Sequence, residues 1–318
     1  MKRAALPVFF VLVAVLPLVV TSRYHLNVLI FAGIHVLLAL GLNLVMGYTG
    51  QVSLGHAGFY GVGAYGSGVL TAQFGVNPWL AALLALGLSM LVALAVGIPS
   101  LRLQGYYLSV ATLGFGIILH IVFVEMASLT GGPSGLVGIP ELSLFGLPLN
   151  TDRRYYFLVW IVVGLALAGS FRLVDSRVGR ALRAIGADET AATLSGINTW
   201  GAKVQIFVIA AAIASLAGSL YAHYVTFLSP ESFGFMFSVD LLVMVVVGGT
   251  RSIWGSVAGA VLLTVLPEYL RVMKDYDVLV YGAIVILTVM WAPAGIAGLA
   301  GRALARWHPA PVRGAVSA

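Results

Sequence analysis

Three polar side chains lie close together in one glycine-rich segment: Gln51, Ser53 and His56. An amide, a hydroxyl and an imidazole can all exchange hydrogen bonds with a polar solute. The segment can therefore line a solute path, or it can be a tightly packed helix end with polar residues at the membrane interface. The closely spaced glycines that follow, from Gly55 to Gly68, favour the close approach of helices in lipid.

Carboxylates inside apolar runs are the second kind of candidate. Asp240 and Glu268 lie in such runs, and His120 and Glu125 lie near the end of another. Ionisable groups are costly in a membrane and usually functional there, so an ion-coupled secondary transporter or channel is one alternative. A proton relay would favour several facing acids, and these are few. We expect Asp240 to be a packing or gating residue that faces the interior of a helix bundle.

The polar segment 172–202 carries regularly spaced cations. Arg177, Arg180 and Arg183 recur every three residues, so a helix would place them on one face. That face can lie along anionic lipid headgroups.

A short helix is predicted directly after these arginines. Asp188 suits its N-cap, Glu189 suits the positive end of its dipole, and Gly196 suits the position just past its C-terminus. The small side chains of Ala191 and Ala192 can then press into a groove on another protein. The alternative is an amphipathic loop that faces lipid.

Several kinds of chemistry are excluded by what the sequence lacks. A phosphate-binding P-loop needs a lysine after a glycine, and none of the three lysines, Lys2, Lys203 and Lys274, follows one. There is no Cys, and the six His residues show no zinc-binding spacing. No nucleophile and base pattern of an enzyme is present. We expect no catalytic residue, no metal and no cofactor.

The composition identifies an integral membrane protein. Of 318 residues, 17 are Lys or Arg and 11 are Asp or Glu, which is 9% charged, where a soluble domain carries about 25%. The hydrophobic share is 60% and the mean hydropathy is +1.03. The net charge of +6 does not indicate a nucleic-acid partner, because Lys and Arg in a membrane protein mark its cytoplasmic side.

Ten transmembrane helices are predicted, which makes the fold an all-α polytopic bundle. A span needs about 20 mostly apolar residues, and turn formers such as Asn77 and Pro78 divide the uncharged stretch 24–101. The first run can be read as a signal peptide, but no cleavage site follows it, which favours a retained helix. The predicted spans are 4–20, 28–46, 54–73, 79–100, 105–127, 155–171, 203–228, 234–250, 252–270 and 278–299.

The distribution of positive charge orients these spans. With the N-terminus in the cytoplasm, twelve of the 17 Lys and Arg residues lie inside. Both termini and the loop 172–202 are then cytoplasmic, and the Gly- and Pro-rich loop 128–154 lies on the outer side. That outer loop can close a mouth, seat an external partner or simply connect two spans.

Several ordered motifs resemble the permease subunits of branched-chain amino acid ABC importers, specifically the M-type subunit of the leucine, isoleucine and valine system. The similarity covers roughly residues 28–300. Its motifs are GLNLVMGYTGQVSLGHA at 41–57, YYLSVATLGFG at 106–116, TGGPSGL at 130–136, GRALRAIG at 179–186, AATLSGI at 191–197, SPESF at 229–233 and GGTRSIWG at 248–255.

The resemblance implies one membrane domain over 1–318 that works in an assembly at the bacterial inner membrane. Its partners would be a second related permease, two cytoplasmic ATPase subunits that hydrolyse the ATP, and a periplasmic solute-binding protein. The loop that contacts the ATPases would include Arg180, Arg183, Asp188, Glu189, Ala191, Ala192 and Gly196.

The resemblance implies transport of branched-chain or related hydrophobic amino acids by alternating access. Urea and short-chain amide permeases look similar and stay an alternative. Two departures from the family pattern stand out: Ile117 follows a segment where members often carry an acid, and Arg251 stands where many have Gly. The solute-path candidates are Gln51, Ser53, His56, Thr112, Thr130, Ser134 and Asp240.

Overall fold

Helices supply nearly all of the regular structure in the computed structural model, which describes residues 5–19, 22–144, 147–270, 277–291 and 295–298. The helices are α1 (Ala5–Val19), α2 (Arg23–Thr49), α3 (His56–Ala72), α4 (Pro78–Ser100), α5 (Tyr106–Glu125), α6 (Ala127–Thr130), α7 (Asp152–Asp175), α8 (Arg177–Ala187), α9 (Glu189–Leu194), α10 (Thr199–Val225), α11 (Phe235–Gly248), α12 (Ile253–Leu270) and α13 (Asp277–Trp291). Two 3-10 turns, Gly132–Ser134 and Pro230–Phe233, and four two-residue strands complete the order.

The prediction of an all-α polytopic bundle is confirmed, and each predicted span coincides with a helix. Within the described residues, six helices are long and apolar enough to cross a membrane: α2, α4, α5, α7, α10 and α12. The other four are shorter, and the 14 residues of α11 reach only about 21 Å. The exact number of complete crossings therefore stays a prediction.

Helix α2 is followed by a segment that turns back along it. Gly50 ends the helix in the left-handed conformation, with φ of 72°. A Cβ placed on Gly41 would be 3.1 Å from the His56 imidazole, so α3 begins beside Gly41. Gly41 precedes the last α2 residue, Thr49, by eight positions, or about 12 Å. The chain between the two helices therefore retraces part of α2 before α3 starts.

Hydroxyl groups of α5 satisfy the backbone of this returning segment. The Ser109 hydroxyl donates to the Val52 carbonyl at 3.1 Å, and the Leu54 amide donates to the Thr112 hydroxyl at 3.1 Å. A Cβ on Gly55 would lie only 2.3 Å from the Thr112 carbonyl oxygen. In lipid, extended backbone is tolerated only where protein covers it in this way.

Helix α10 is followed by a second returning segment. Its strand β4 (Phe227–Leu228) pairs antiparallel with β1 (Leu136–Val137); the other pair, β2 (Ser143–Leu144) with β3 (Leu147–Pro148), forms a hairpin. The Ala57 amide in α3 donates to the Ser238 hydroxyl in α11 at 3.1 Å. The first turns of α3 and α11 therefore meet inside the bundle.

The glycines of α3 serve close packing, as their spacing predicts. A Cβ on Gly63 would be 2.1 Å from the Ser215 carbonyl oxygen of α10, and a Cβ on Gly218 would be 2.1 Å from the Tyr60 carbonyl oxygen. The two helices touch backbone to backbone, which only glycine permits. This crossing fixes α3 and α10 at the centre of the core.

Candidate functional site

A cavity of about 580 Å³ lies between α2, α11 and α12 and is called here the three-helix cavity. Residues three or four apart on α2 form one wall, since they share a helix face. Its apolar lining consists of Val28, Phe31, Phe237, Met244, Leu263 and Pro267. Its polar lining consists of Tyr24, Asn27, His35, Asp240, Thr264 and Glu268.

Hydrogen bonds fix most of the polar lining. Thr264 donates its hydroxyl to the Ala260 carbonyl at 2.6 Å and therefore accepts from His35 Nδ1 at 2.8 Å. The neutral His35 ring then keeps Nε2 as an acceptor. The Tyr24 hydroxyl donates to the Glu268 carboxylate.

Asp240 differs from these neighbours. Its side chain is exposed at the cavity, and it makes no hydrogen bond or ion pair with the described part of the chain. That it is a packing or gating residue facing the bundle stays a prediction, and the structure places it at the wall of the three-helix cavity.

Arg251, between α11 and α12, forms a junction with α2 and α8. Its backbone φ is 66°, in the left-handed region. Its side chain donates from Nε to the Gly47 carbonyl at 3.2 Å and from Nη2 to the Gly186 carbonyl at 2.8 Å. Both carbonyls lie in the last turn of a helix, where a cation is favourable. The Tyr48 hydroxyl of α2 donates to the Arg251 carbonyl at 3.1 Å, which adds a further hydrogen bond between α2 and Arg251.

Asn43 strengthens this Arg251 junction from within α2. Its side-chain oxygen accepts from the Arg251 amide at 3.2 Å. Its Nδ2 donates to the Ser256 hydroxyl at 2.6 Å and to the Ser252 carbonyl at 3.0 Å. Both the oxygen and the Nδ2 of this buried amide are therefore engaged, and α2 is tied to the α11–α12 turn and to the first turn of α12.

The short helix α9 is capped as its sequence predicts. The Asp188 carboxylate accepts from the Ala191 amide at 3.0 Å, and Gly196 has φ of 80° just past the helix end. Glu189 pairs with Lys203 of α10 at 2.6 Å, and Lys203 is only 3% exposed. The ion pair holds α9 against the start of α10.

The outward face of α9 is not the predicted one. Ala191 is exposed, whereas Ala192 is 4% exposed and packs within this chain. Successive helical residues are about 100° apart, so the two alanines do not share a face. The large exposed apolar residue of α9 is Leu194, at 85%. The three arginines of α8 are exposed, and Arg183 donates to the Val174 carbonyl at 2.9 Å.

Comparison with known proteins shows the family. The sequence profile described as "Branched-chain amino acid transport system / permease component" matches residues 24–289. The chain belongs to this permease family. The high-affinity branched-chain amino acid transport system permease protein LivM of Salmonella typhimurium is 35% identical over 298 residues, 86% of this chain and 70% of LivM.

Two further relatives of the permease belong to transport systems. The LivH permease protein of the branched-chain amino acid system of Escherichia coli K12 is 30% identical, over 83% of this chain and 91% of LivH. The ribose import permease protein RbsC of the same strain is 26% identical, over 91% of this chain and 93% of RbsC. No solved structure matches the permease. It is a multi-pass protein of the inner membrane.

The permease does not bring all seven predicted solute-path residues together, although Thr112 hydrogen-bonds the returning segment that carries Gln51, Ser53 and His56. Gln51, Ser53 and His56 are buried on the returning segment, and both Gln51 amide atoms, Ser53 Oγ and His56 Nε2 have no hydrogen-bond partner among the described residues. They do not line the three-helix cavity. Of the seven candidates, Asp240 alone does so.

The remaining candidates have other positions in the permease. Thr112 donates to the Ser109 carbonyl at 3.0 Å as well as accepting from Leu54. Thr130 donates to the Phe123 carbonyl at 2.7 Å and accepts from the Gly132 amide. Both hydroxyls therefore serve the local backbone. Ser134 is exposed at the end of a 3-10 turn.

Sequence reasoning missed Asn43 and His35 in the permease and noted Arg251 only as a departure from the family. A lone amide inside a buried apolar helix signals a polar partner elsewhere, because such a group is costly when unpaired. That partner could not be named from the sequence. In the described residues, no three His, Cys, Asp or Glu side chains lie close enough together to hold a metal.

Proposed function

We propose that the chain is the membrane subunit of an ATP-driven importer and carries branched-chain or related hydrophobic amino acids. The observation that carries this proposal is the match over residues 24–289 to a branched-chain amino acid permease component. The 35% identity to LivM supports the solute class. The weaker likeness to RbsC supports the importer machinery and leaves ribose as the competing solute.

The proposed assembly supplies what this chain lacks. A second related permease completes the solute path, two cytoplasmic ATPase subunits hydrolyse ATP, and a periplasmic binding protein delivers the solute. The absence of a P-loop lysine supports a separate ATPase. The paired LivM and LivH relatives support a second permease.

Helix α9 is the proposed docking element for an ATPase subunit. Leu194 and Ala191 are three residues apart on one exposed apolar face of α9, and this is the face that an ATPase subunit would cover. Helix α8 leads directly into α9, and the Arg251 junction ties the end of α8 to α2 and to the α11–α12 turn. A displacement of α9 therefore has a direct path to the helices around the three-helix cavity.

Uptake by purified components tests the function. We expect proteoliposomes that hold both permeases and the ATPases to accumulate leucine when ATP and the binding protein are present. Unlabelled isoleucine should compete, and urea, acetamide and ribose should not. Uptake that persists without the ATPases would favour a secondary transporter. Competition by ribose alone would show that the solute is a sugar rather than an amino acid.

Labelling tests the proposed orientation, with both termini cytoplasmic. The native chain has no Cys, so Ser134→Cys and Leu194→Cys each introduce a single thiol at an exposed position. An impermeant thiol reagent should label Ser134→Cys in intact spheroplasts and Leu194→Cys only after lysis. Labelling of both from outside would contradict the ten-span topology.

A further inference from the structure

The returning segment after α2, residues 50–55, alternates in polarity together with burial. Its polar side chains Gln51 and Ser53 are 7% and 3% exposed, whereas the apolar side chains of Val52 and Leu54 are half-buried. The Val52 carbonyl and the Leu54 amide both bond to α5, as in an extended chain, where every second residue has the same orientation. Gln51 and Ser53 therefore share one buried face, called here the inward face.

The polar groups of the inward face lack hydrogen bonds. The Gln51 amide oxygen and nitrogen and the Ser53 hydroxyl have no partner among the described residues. The hydroxyl of Thr112, which holds the same segment, donates to the Ser109 carbonyl at 3.0 Å. A buried hydrogen-bonding group without a partner is costly, and a polar side chain inside a membrane bundle usually serves a function. The inward face is therefore suited to a polar ligand.

Helix α3 begins directly after the inward face, and this position favours a negative charge. The N-terminal end of a helix carries partial positive charge and attracts anions. The first turn of α3 contains no acidic residue, and residues 24–101 contain no charged side chain. The Gln51 amide nitrogen and the Ser53 hydroxyl are both hydrogen-bond donors. A carboxylate would supply the acceptor that these donors and the helix end require.

The inward face is enclosed in this structure, and α5 closes one side of the segment that carries it. Two hydroxyls of α5 hold the segment, yet α5 is the least buried of the six described helices that are long enough to cross a membrane. A narrow crevice without room for a water molecule follows Leu54 and Gly58 between α3, α5 and α11. Elements with few buried contacts move at low cost, so movement of α5 is the least costly way to open the segment to a solute.

We propose that the inward face binds the carboxylate of the amino acid during transport, through the Gln51 amide nitrogen, the Ser53 hydroxyl and the N-terminal end of α3. This inference rests on the proposed function and specifies the solute group that the chain recognises. The ammonium group of the same solute can donate to the Gln51 amide oxygen, which satisfies the remaining atom. Urea and ribose are neutral and would bring no negative charge to the helix end. The site is closed in this structure and opens when α5 separates from the segment.

A cysteine at position 53 reports whether a solute reaches the inward face. Ser53→Cys changes one atom, and the native chain has no other thiol. In proteoliposomes that hold the assembled complex, a small methanethiosulfonate should label this thiol during ATP turnover. Leucine at roughly ten times its half-saturating concentration should slow the labelling about tenfold, since only the unoccupied site reacts. Ser89→Cys, buried on α4 where the native hydroxyl donates to the Ala211 carbonyl at 3.2 Å, is the matched control and should stay unlabelled. A Ser53→Cys thiol that is never labelled would overturn the site.

Solute analogues identify the recognised group. The acid 4-methylpentanoate, which keeps the carboxylate and lacks the ammonium, should also slow labelling of Ser53→Cys. Ribose and 3-methylbutylamine, which keeps only the ammonium, should not. Protection by the amine without protection by the acid would refute the carboxylate site. ATP-driven leucine uptake by the unmodified complex separates the two proposals: intact uptake without protection removes only the site, whereas absence of leucine uptake removes the function as well.

Stability distinguishes solute binding from a structural role of Gln51. Gln51→Leu replaces an unpartnered buried amide with an apolar side chain, so the permease should unfold in detergent at the same or a higher temperature. Uptake at low leucine should fall about tenfold or more, since a hydrogen bond to a charged group is lost. Gln205→Leu, at an exposed position of α10, is the control and should keep its uptake. A lower unfolding temperature with normal uptake would overturn the site and assign Gln51 to the fold, for example through an ordered water. If Gln51→Leu does not assemble, the protection measurements decide alone.

Discussion

Helices α2, α11 and α12 are tied together at one end and separated at the other. At the tied end, Arg251 and Asn43 link them through hydrogen bonds of 2.6–3.2 Å. At the other end, the same helices surround a cavity of about 580 Å³. The Asn43–Ser256 hydrogen bond is buried, and such a neutral bond contributes about 0.5–1.5 kcal/mol, whereas the bond from Arg251 Nη2 to Gly186 is exposed. The tied end is therefore the stiffer one.

This difference indicates where the helices can change their spacing. Segments with few buried contacts open at low cost, whereas those in the core open only with global unfolding. The tied end adjoins α8 and hence the proposed ATPase contact, and the other end surrounds the three-helix cavity. A small rotation about the Arg251 junction would therefore widen or narrow the cavity without breaking the junction itself.

The largest expected effect comes from forcing α11 and α12 apart. A Cβ on Gly259 would be 2.1 Å from the Met244 carbonyl oxygen, where α11 and α12 touch. Gly259→Ala should destabilise the permease by roughly 3 kcal/mol, because backbone cannot move aside as a side chain can. Thermal unfolding in detergent measures this. Gly87→Ala, inside α4, is the matched control: its Cβ would meet nothing within 4 Å, so it should unfold no earlier than the native chain.

The second prediction concerns the Arg251 junction and leaves the fold intact. Arg251→Gly suits the φ of 66° and removes only the side chain. Leucine uptake should fall at least about tenfold, since two charge-assisted hydrogen bonds are lost, while the complex still assembles and hydrolyses ATP. Arg251→Lys keeps the charge but cannot reach both carbonyls, and should recover part of the uptake. Full uptake by Arg251→Gly would show that the junction does not transmit motion.

A third prediction tests the proposed ATPase contact of α9, which adjoins the tied end through α8. Leu194 is 85% exposed, so Leu194→Asp should leave the fold unchanged. If α9 docks an ATPase, loss of the apolar contact should cost ~1–3 kcal/mol, or roughly five- to hundredfold in affinity. Retention of the ATPase during purification measures it. Leu103→Asp, exposed on the α4–α5 turn, is the control, and equal retention by both variants would place the docking surface elsewhere.

The smallest effect compares one chemical change at both ends. Ser256→Ala at the tied end leaves a donor of buried Asn43 without its 2.6 Å acceptor and should destabilise by ~1–3 kcal/mol. Thr264→Val beside the cavity removes the acceptor of His35, but water in the cavity can replace it, so less than about 1 kcal/mol is expected. Similar losses in the two variants would contradict the difference between the ends.

Local features of this permease could be predicted from its sequence, and features that depend on packing could not. Apolar runs located the helices, and Asp188 and Gly196 marked the ends of α9, because caps act within one turn. The burial of Ala192 depends on how α9 lies on its neighbours. The role of Arg251 depends on three elements far apart in the chain, and no local pattern encodes their meeting.

The cover over the returning segment after α2 has a consequence for biosynthesis. The Val52 carbonyl accepts a hydrogen bond from the Ser109 hydroxyl, which the ribosome adds 57 residues later. Gly63 packs on Ser215, made later still. A nascent chain that contains only α1–α4 thus exposes peptide groups that lipid cannot solvate. The early helices must be sheltered by the insertion machinery until α5 and α10 emerge, so the membrane domain matures as a whole rather than helix by helix.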